Sequence, residues 1–350
     1  MSIELSAVRS EDSFNIEGVH TWLCERIPGL TDLPSVDQFR SGASNLTYLL
    51  RYPDREMVLR RPPSGKKAAS AHDMKREFFI QQSLRSYYPL VPSVFALCED
   101  PKIIGSDFYV MDRIKGVILR RDLPDNVTLT EEQATELGQR VIEGLVQLHQ
   151  VDARVLSRLN KGPGYVSRQL KGWSERYRAA LTDDVPTGSE LISWLIEHQP
   201  EDLATCVIHG DWRLDNLVLD TSQSPRLVGV LDWELATVGD PLMDLGSALA
   251  YWIDKDDDPA FAALRRQPSH LPGMPTRQEF ISRYLSQSEW ECSDFTFYEV
   301  FGLFRLTVIL QQIWFRYRAG ETTNPAFSLF GPAVHVLINR AMDLIQRRVQ

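Results

Sequence analysis

The stretch His209-Gly210-Asp211-Trp212-Arg213-Leu214-Asp215-Asn216, followed sixteen residues later by Asp232, decides how the rest of the chain is read. Two short apolar runs flank it, Cys206-Val207-Ile208 and Leu227 to Leu231. Both lie too close to turn signals to be long helices, so both read as short strands. The chain therefore turns at Gly210 as it leaves one strand, and Asp232 stands at the end of the other. Two carboxylates and an amide at strand ends suit a divalent metal that holds phosphate, because Mg2+ takes oxygen ligands and keeps few from the protein. Phosphoryl transfer asks for the same groups: a carboxylate near the incoming hydroxyl, and metal to neutralise the phosphate oxygens.

Outward from this segment, the first third of the chain reads as a sheet. Asn45 to Tyr52 and Glu56 to Arg61 are rich in β-branched and apolar residues, with Pro53-Asp54-Arg55 as the turn between them. Val94 to Cys98 and Phe108 to Ile114 read as two further strands around the turn-rich Glu99 to Asp107. Asp73 to Arg85 reads as a helix, with Phe78, Phe79 and Leu84 as its packing positions. From about residue 130 the pattern becomes helical. Thr130-x-x-Gln133 and Thr276-x-x-Glu279 fit capping boxes, and Leu137, Val141, Ile142, Leu145 and Leu148 keep a helical period. Residues 295–318 and 332–348 read as helices too. The expected architecture is α+β: a small antiparallel β-rich N-lobe with one inserted helix (1–112), then a larger α-helical C-lobe (113–350), with Lys115-Gly116 following the last strand.

The central segment resembles the protein-kinase catalytic loop H-R-D-x-x-x-x-N followed by the D-F-G aspartate. It is more similar still to the H-G-D-x-x-x-x-N and I-D-W/F-E form of the aminoglycoside phosphotransferase and choline kinase family. Asp240-Pro241-Leu242-Met243-Asp244-Leu245 completes that family's D-P-x-x-D-L signature. The resemblance covers roughly residues 30 to 320. It implies a bilobal protein-kinase-like fold, and a Mg2+-dependent kinase that moves the γ-phosphoryl group of ATP, or alternatively GTP, to a small-molecule hydroxyl. By the resemblance Asp211 is the catalytic base or orienting carboxylate, Asn216 a Mg2+ ligand and Asp232 the main Mg2+ ligand. His209 and Asp244 then support the loop. Glu234 either reaches metal through water or is a solvated acid, and Arg213 is a candidate to hold substrate or phosphate.

On the nucleotide side, Ser41-Gly42-Ala43-Ser44-Asn45 lies in a turn between strands, where backbone N–H groups can cradle phosphates. In Met57-Val58-Leu59-Arg60 the strand period puts Val58 and Arg60 on one face. The resemblance makes Val58 the cover of the adenine, and puts Arg60 where the family carries a lysine for the phosphates. Arginine keeps its charge and grips phosphate bidentately. Glu77 would pair with Arg60, and backbone groups around Met111 to Arg113 would bind the adenine edge. Arg61 points to the opposite face.

The acceptor side says less. The acidic run Asp254, Asp256, Asp257 and Asp258 is either a solvated loop or a site for a cationic acceptor. Tyr251, Trp252, Trp314 and Tyr317 either line a pocket or belong to the core. Val58-Leu59-Arg60-Arg61-Pro62-Pro63, Gln169-x-x-x-Trp173 and the central segment itself look like the branch related to the N-terminal domain of certain acyl-CoA dehydrogenases. That branch implies hydroxyacyl-CoA-like or other hydroxylated metabolites as acceptors. A nucleotide-binding module without catalysis is the rival reading, and Arg60 is what favours it.

The composition, 43% hydrophobic and 24% charged, is that of an ordinary globular protein. A net charge of −9 argues against nucleic acid or a membrane surface as partner. The apolar stretch Phe295 to Phe315 is broken by Glu299, Arg305, Gln311 and Gln312, and reads as a buried helix. Cys24, Cys98, Cys206 and Cys292 form no C-x-x-C pair and read as buried free thiols. No signal peptide is expected at the N-terminus. A reduced, cytoplasmic setting follows as the expectation.

Overall fold

The computed structural model describes residues 5–40, 45–63 and 73–349. The chain forms two compact units, residues 1–115 with 228–234, and residues 116–227 with 235–350. The first unit holds β1 (Leu5–Ala7), α1 (Ile16–Cys24), β2 (Ser35–Phe39), β3 (Leu46–Arg51), β4 (Glu56–Arg61), α2 (Met74–Leu84), β5 (Val94–Cys98), α3 (Pro101–Ile104) and β6 (Phe108–Asp112). Its six strands form an antiparallel sheet in the order β1-β2-β3-β4-β6-β5. The sequence pattern gives five of these strands, β2 as the strand ahead of the expected Ser41–Asn45 turn, and α2, but not β1, α1 or α3. It also does not place residues 228–234 with the first unit.

β4 is central, and every residue from Met57 to Arg61 is buried. The strand period explains how. Met57 and Leu59 point into a core with Val19 and Leu23 of α1 and Tyr48 of β3. Val58 points into a smaller cluster with Met74 of α2 and Tyr109 and Met111 of β6. A strand covered on both faces needs no polar alternation, which leaves two buried arginines to be accounted for. Arg61, on the α1 face, donates to the Tyr48 hydroxyl (3.0 Å) and to the Asp12 carbonyl (2.6 Å).

α2 extends a packing expectation. Its buried positions are Met74, Glu77, Ile80, Gln81 and Leu84, while Phe78 and Phe79 are half-buried. Phe78 still packs against the Val58 cluster and meets the Tyr109 ring edge-on, and Leu84 is fully buried, as expected; Glu77 and Gln81 join them on the inner face because they have partners there. Gln81 donates to the Tyr109 hydroxyl (2.9 Å), and Glu77 stands 3.1 Å from Arg60.

The second unit is mainly helical: α4 (Glu131–His149), α5 (Tyr165–Ala179) and α6 (Ser189–Glu197) come before the short strands β7 (Cys206–Ile208), β8 (Leu217–Asp220) and β10 (Thr237–Gly239), while β9 (Arg226–Val230) begins in this unit and ends in residues counted with the first. Then follow α7 (Pro241–Leu249), α8 (Pro259–Ala262), α9 (Arg277–Gln287), α10 (Thr296–Arg318) and α11 (Phe330–Val349). Both expected capping boxes form, at Thr130 and Thr276. β7 pairs antiparallel with β10, which ties down the chain on either side of the His209 to Asp232 stretch.

α10 is the core helix, buried through most of Phe297 to Val308. Among the described residues no helix is long and apolar enough to cross a membrane. All four cysteines are free, but only Cys98 and Cys206 are buried; Cys24 is exposed and Cys292 half-buried. α10 and α7 meet at glycines: a Cβ on Gly302 would fall far inside contact distance of the Gly246 carbonyl. That backbone obstacle cannot rotate away as a side chain would. Gly302→Ala should therefore lower stability by about 1–3 kcal/mol through overpacking, read as a lower midpoint in urea followed by circular dichroism.

Candidate active site

The loop that carries Asp211 is built in the second unit, from the end of β7. Its backbone is held by one carboxylate. Asp244, in the first turn of α7, accepts from His209 N–H and Gly210 N–H, each at 2.8 Å. His149 Nε2 of α4 lies 3.1 Å from the same carboxylate, and its Nδ1 lies 2.6 Å from the Tyr284 hydroxyl. Burial works against the Asp244 charge, but the hydrogen bonds to His149 and the loop win and hold its pKa below the ordinary 3.8. Asp240 caps α7, accepting from Leu242 N–H and Met243 N–H. Gly210 has φ +81°, a conformation that suits glycine. Its carbonyl accepts from Arg305 Nη2 of α10 at 2.6 Å.

Asp211 is thus presented by a loop fixed on both sides. Asn216 Nδ2 donates to the Asp211 carbonyl (2.8 Å) and to Asp211 Oδ2 (3.0 Å). Asp211 Oδ1 faces Arg213 Nε at 3.2 Å, and Arg213 Nη2 lies 3.2 Å from Asp215 Oδ2. The Arg213 guanidinium sits over the Tyr251 ring, 4.6 Å from its centre. Arg305 packs over Trp173 of α5 at 5.3 Å. The second unit therefore brings together Asp211, Asn216, His209 and Asp244. It adds His149 and Arg305, to which the sequence alone assigns no role. Arg305 had a signal: a lone charge in an apolar helix must find a partner. His149 had none, being one histidine in an ordinary amphipathic helix.

The first unit gathers the other candidates around Arg60. Its Nη2 donates to Asp232 Oδ1 at 2.6 Å and lies 3.8 Å from Glu234 Oε2, while Nη1 is 3.1 Å from Glu77 Oε1. Burial pushes the Glu77 carboxyl up to about 7. Burial also opposes the charge on Arg60, but Glu77 and Asp232 hold it above the ordinary arginine value. Three polar atoms here have no well-aligned hydrogen-bond partner among the described residues: Arg60 Nε and both Glu77 oxygens. Asn45 Nδ2 donates to Glu234 Oε2 at 3.0 Å, and Arg76 donates to the Glu234 carbonyl. Asp232 has φ +62°, the only non-glycine residue in that region among those described. Such strain collects at functional positions.

Val58 and Met111 are register partners on β4 and β6. The Arg113 side chain pairs with Glu56 at 2.7 Å. Ser41, Gly42, Ala43 and Ser44 lie outside the described residues, so of the expected phosphate loop only Asn45 is placed. On the acceptor side, Asp257 is bound by Arg277 (2.6 Å) and Arg340 (2.8 Å), and Asp254 by Arg277 (3.2 Å). Asp258 caps α8. Trp252 is buried and donates to the Pro275 carbonyl, so it is core.

A sheet-rich unit and a helical unit with a braced H-G-D loop define a kinase-like phosphotransferase. Residues 35–280 match the model of the phosphotransferase enzyme family, and the chain belongs to that family. It is an enzyme of the class that transfers phosphoryl groups to an alcohol. It is 35% identical over 310 residues to acyl-CoA dehydrogenase family member 10 of Mus musculus, over 87% of this chain and 29% of the relative. The chain spans less than half the length of the curated relatives it matches. A protein from Ralstonia eutropha JMP134, assigned to the aminoglycoside phosphotransferases, superposes with a TM-score of 0.81 at 27% identity, over 96% of this chain and 99% of that one. An aminoglycoside phosphotransferase in ternary complex with AMP-PNP and hygromycin B shares the fold, with a TM-score of 0.58 at 16% identity over 93% and 98% of the chains. The kinase-like α+β fold, the family and the acyl-CoA dehydrogenase branch read from the sequence are borne out.

The Asp244 brace yields a stability prediction with a defined sign. A carboxylate whose pKa is depressed by folding stabilises above its unfolded value and loses that contribution as pH falls through the folded value. Asp244→Asn should cost about 1.5–3 kcal/mol at pH 7, the usual worth of buried hydrogen bonds to a charged group. The gap to the native protein should begin to narrow as the pH falls below the ordinary 3.8 and close as it passes through the lower folded value. Urea titrations of both proteins at a series of pH values check this.

Proposed function

We propose that the protein is an ATP-dependent, Mg2+-dependent small-molecule kinase that transfers the γ-phosphoryl group to a hydroxyl of a metabolite. Asp211 is the base, and the observation that carries the reading is its carboxylate, oriented by Asn216 on a loop fixed by the buried Asp244. A general base must be held within reach of the proton it takes, and these bonds supply that.

The residues proposed to hold metal fit magnesium. Asn216 spends its amide nitrogen on Asp211, leaving its oxygen as ligand atom. Asp232 uses one oxygen for Arg60 and keeps the other. Among the described residues no cluster of three or more His, Cys, Asp or Glu is arranged for a metal, and Mg2+ does not ask for one. It binds through one or two carboxylates, with phosphate and water completing its shell. When bound, it would neutralise charge on the transferred phosphoryl group. Asn216 and Asp232 are assigned to it by their order in the chain and the family pattern.

Arg60 is proposed to grip the nucleotide phosphates. Arg60 Nε and the Glu77 oxygens, which lack a well-aligned hydrogen bond, support this, since a buried polar array not fully satisfied has room for a ligand. Val58 would cover the base, with Met111 and Arg113 main-chain groups at its edge, and Asn45 would close the phosphate loop begun by Ser41, Gly42 and Ser44. The AMP-PNP bound by the aminoglycoside phosphotransferase of the same fold supports ATP as the nucleotide, with GTP the alternative.

For the acceptor, Asp254 and Asp257 are already neutralised by arginines, which disfavours a cationic amino sugar at the acidic run. A hydroxyacyl-CoA-like or similar hydroxylated metabolite suits the branch to which the relatives belong. Free thiols agree with a reduced, cytoplasmic setting.

ADP release across a panel of hydroxylated metabolites tests the reading. Asp211→Asn should lower the turnover of any acceptor found by about 10²–10⁴-fold, the usual contribution of a general base, with ATP binding kept. Asp232→Ala should lose the Mg2+ dependence of ATP binding. An Asp211→Asn enzyme as fast as the native one would place the base elsewhere, whereas ATP binding with no ADP release for any acceptor would make the protein a nucleotide-binding module.

A further inference from the structure

We propose that Arg213 is a positioning residue that keeps the Asp211 carboxylate closed to water until an acceptor is bound, and so suppresses loss of phosphoryl groups to hydrolysis. The proposal rests on the reading of Asp211 as the base.

Both Asp211 oxygens are engaged. Oδ2 takes the Asn216 amide, which is anchored a second time on the Asp211 carbonyl. Oδ1 faces Arg213 Nε at 3.2 Å. Asn216 is buried and doubly tied, so Arg213 is the partner that an incoming hydroxyl displaces. Arg213 has somewhere to go. Its Nη2 is already 3.2 Å from Asp215 Oδ2, and Asp215 Oδ1 is buried without a hydrogen-bond partner among the described residues. The Tyr251 ring supports the guanidinium from one side. Turning from Asp211 toward Asp215 keeps the guanidinium paired and gives the orphan oxygen a donor. The arrangement has two states of like charge pairing, which is what a small switch needs.

The chemistry gives the switch a purpose. In transfer, the nucleophile oxygen forms a bond to the γ-phosphorus and its proton passes to Asp211. The bond from the γ-phosphorus to the bridging oxygen breaks, and ADP leaves with that electron pair. Water can stand in for the acceptor hydroxyl in every one of these events. Only a larger acceptor brings binding contacts that turn Arg213 aside. A base masked by an arginine is thus available to the acceptor and withheld from solvent.

The test uses the full chain with Mg2+-ATP and no acceptor. Inorganic phosphate release, affinity for a fluorescent ATP analogue and thermal midpoint are measured for native protein, Arg213→Met, Arg213→Lys and Arg213→Met/Asp211→Asn. The proposal expects Arg213→Met to release phosphate about tenfold faster than native, a modest fall in barrier, with analogue affinity and midpoint unchanged. Arg213→Lys should stay near native, and the double variant should lose the gain. A purely structural role would lower every rate instead. Phosphate release by Arg213→Met at or below the native rate, with binding and midpoint intact, overturns the proposal. Should the methionine variant fold poorly, Arg213→Gln takes its place, with the same rates expected and the same result overturning the proposal. Native protein that binds no ATP analogue would remove the kinase reading itself, and is recognised separately by that measurement.

Discussion

The geometry of the second unit depends on one buried carboxylate. Asp244 is almost fully shielded from solvent, yet it remains a good place for a negative charge, because the groups around it are donors. It lies in the first turn of α7, where the helix dipole favours an anion. Two loop N–H groups and an imidazole satisfy it. Gly210 is the complement: its N–H goes to Asp244 and its carbonyl to Arg305, so one residue is gripped from α7 and α10 together. Those helices approach closely only because Gly246 and Gly302 face each other. The position of Asp211 is thus traceable to packing between two helices far from it in sequence.

The first unit repeats the logic with the sign reversed. A buried cation, Arg60, stands among Glu77, Asp232 and Glu234. It is carried by a strand covered on both faces and paired with β3 and β6 along both edges. Here, unlike around Asp244, the hydrogen bonding is incomplete. The contrast is one of satisfaction: the charge on Asp244 is met by donors on every side, while the array around Arg60 has polar atoms without a well-aligned hydrogen bond.

The fold was largely legible because its signals are local. The capping boxes at Thr130 and Thr276, the turn at Pro53-Asp54-Arg55 and the alternation along β4 each need only a few neighbouring residues. β1 escapes a sequence reading since a three-residue edge strand carries almost no pattern, and α1 is a nine-residue helix just past the N-terminal stretch read for targeting signals. The inner face of α2 holds more than the expected Phe78 and Leu84, because apolar periodicity does not count glutamate, while Glu77 is buried by its charge partner Arg60. Candidate site residues that lie in one motif were readable. Those that act from afar were not: Asp244 meets His149 across ninety-five residues, and Gly210 meets Arg305 across the same separation. Nothing in a linear pattern encodes such pairs.

Arginine at position 60 is the departure from the family pattern with the largest physical consequence. An ammonium is a compact point charge that favours one close partner at a time. The planar guanidinium presents separate arms, and here Nη1 addresses Glu77 while Nη2 addresses Asp232. Because its pKa cannot be brought into the physiological range, the cation cannot be lost even where burial disfavours it. The carboxylates gathered around it therefore always have one permanent counter-charge, with or without nucleotide. That removes a cost the unliganded protein would otherwise bear, since clustered buried carboxylates without a cation would repel and take up protons. The rise in the Glu77 pKa is what remains of burial and that repulsion after Arg60 has acted. Arg60 is thus as much a requirement of the folded first unit as a candidate hand for the nucleotide, and its presence is not by itself a sign of lost catalysis.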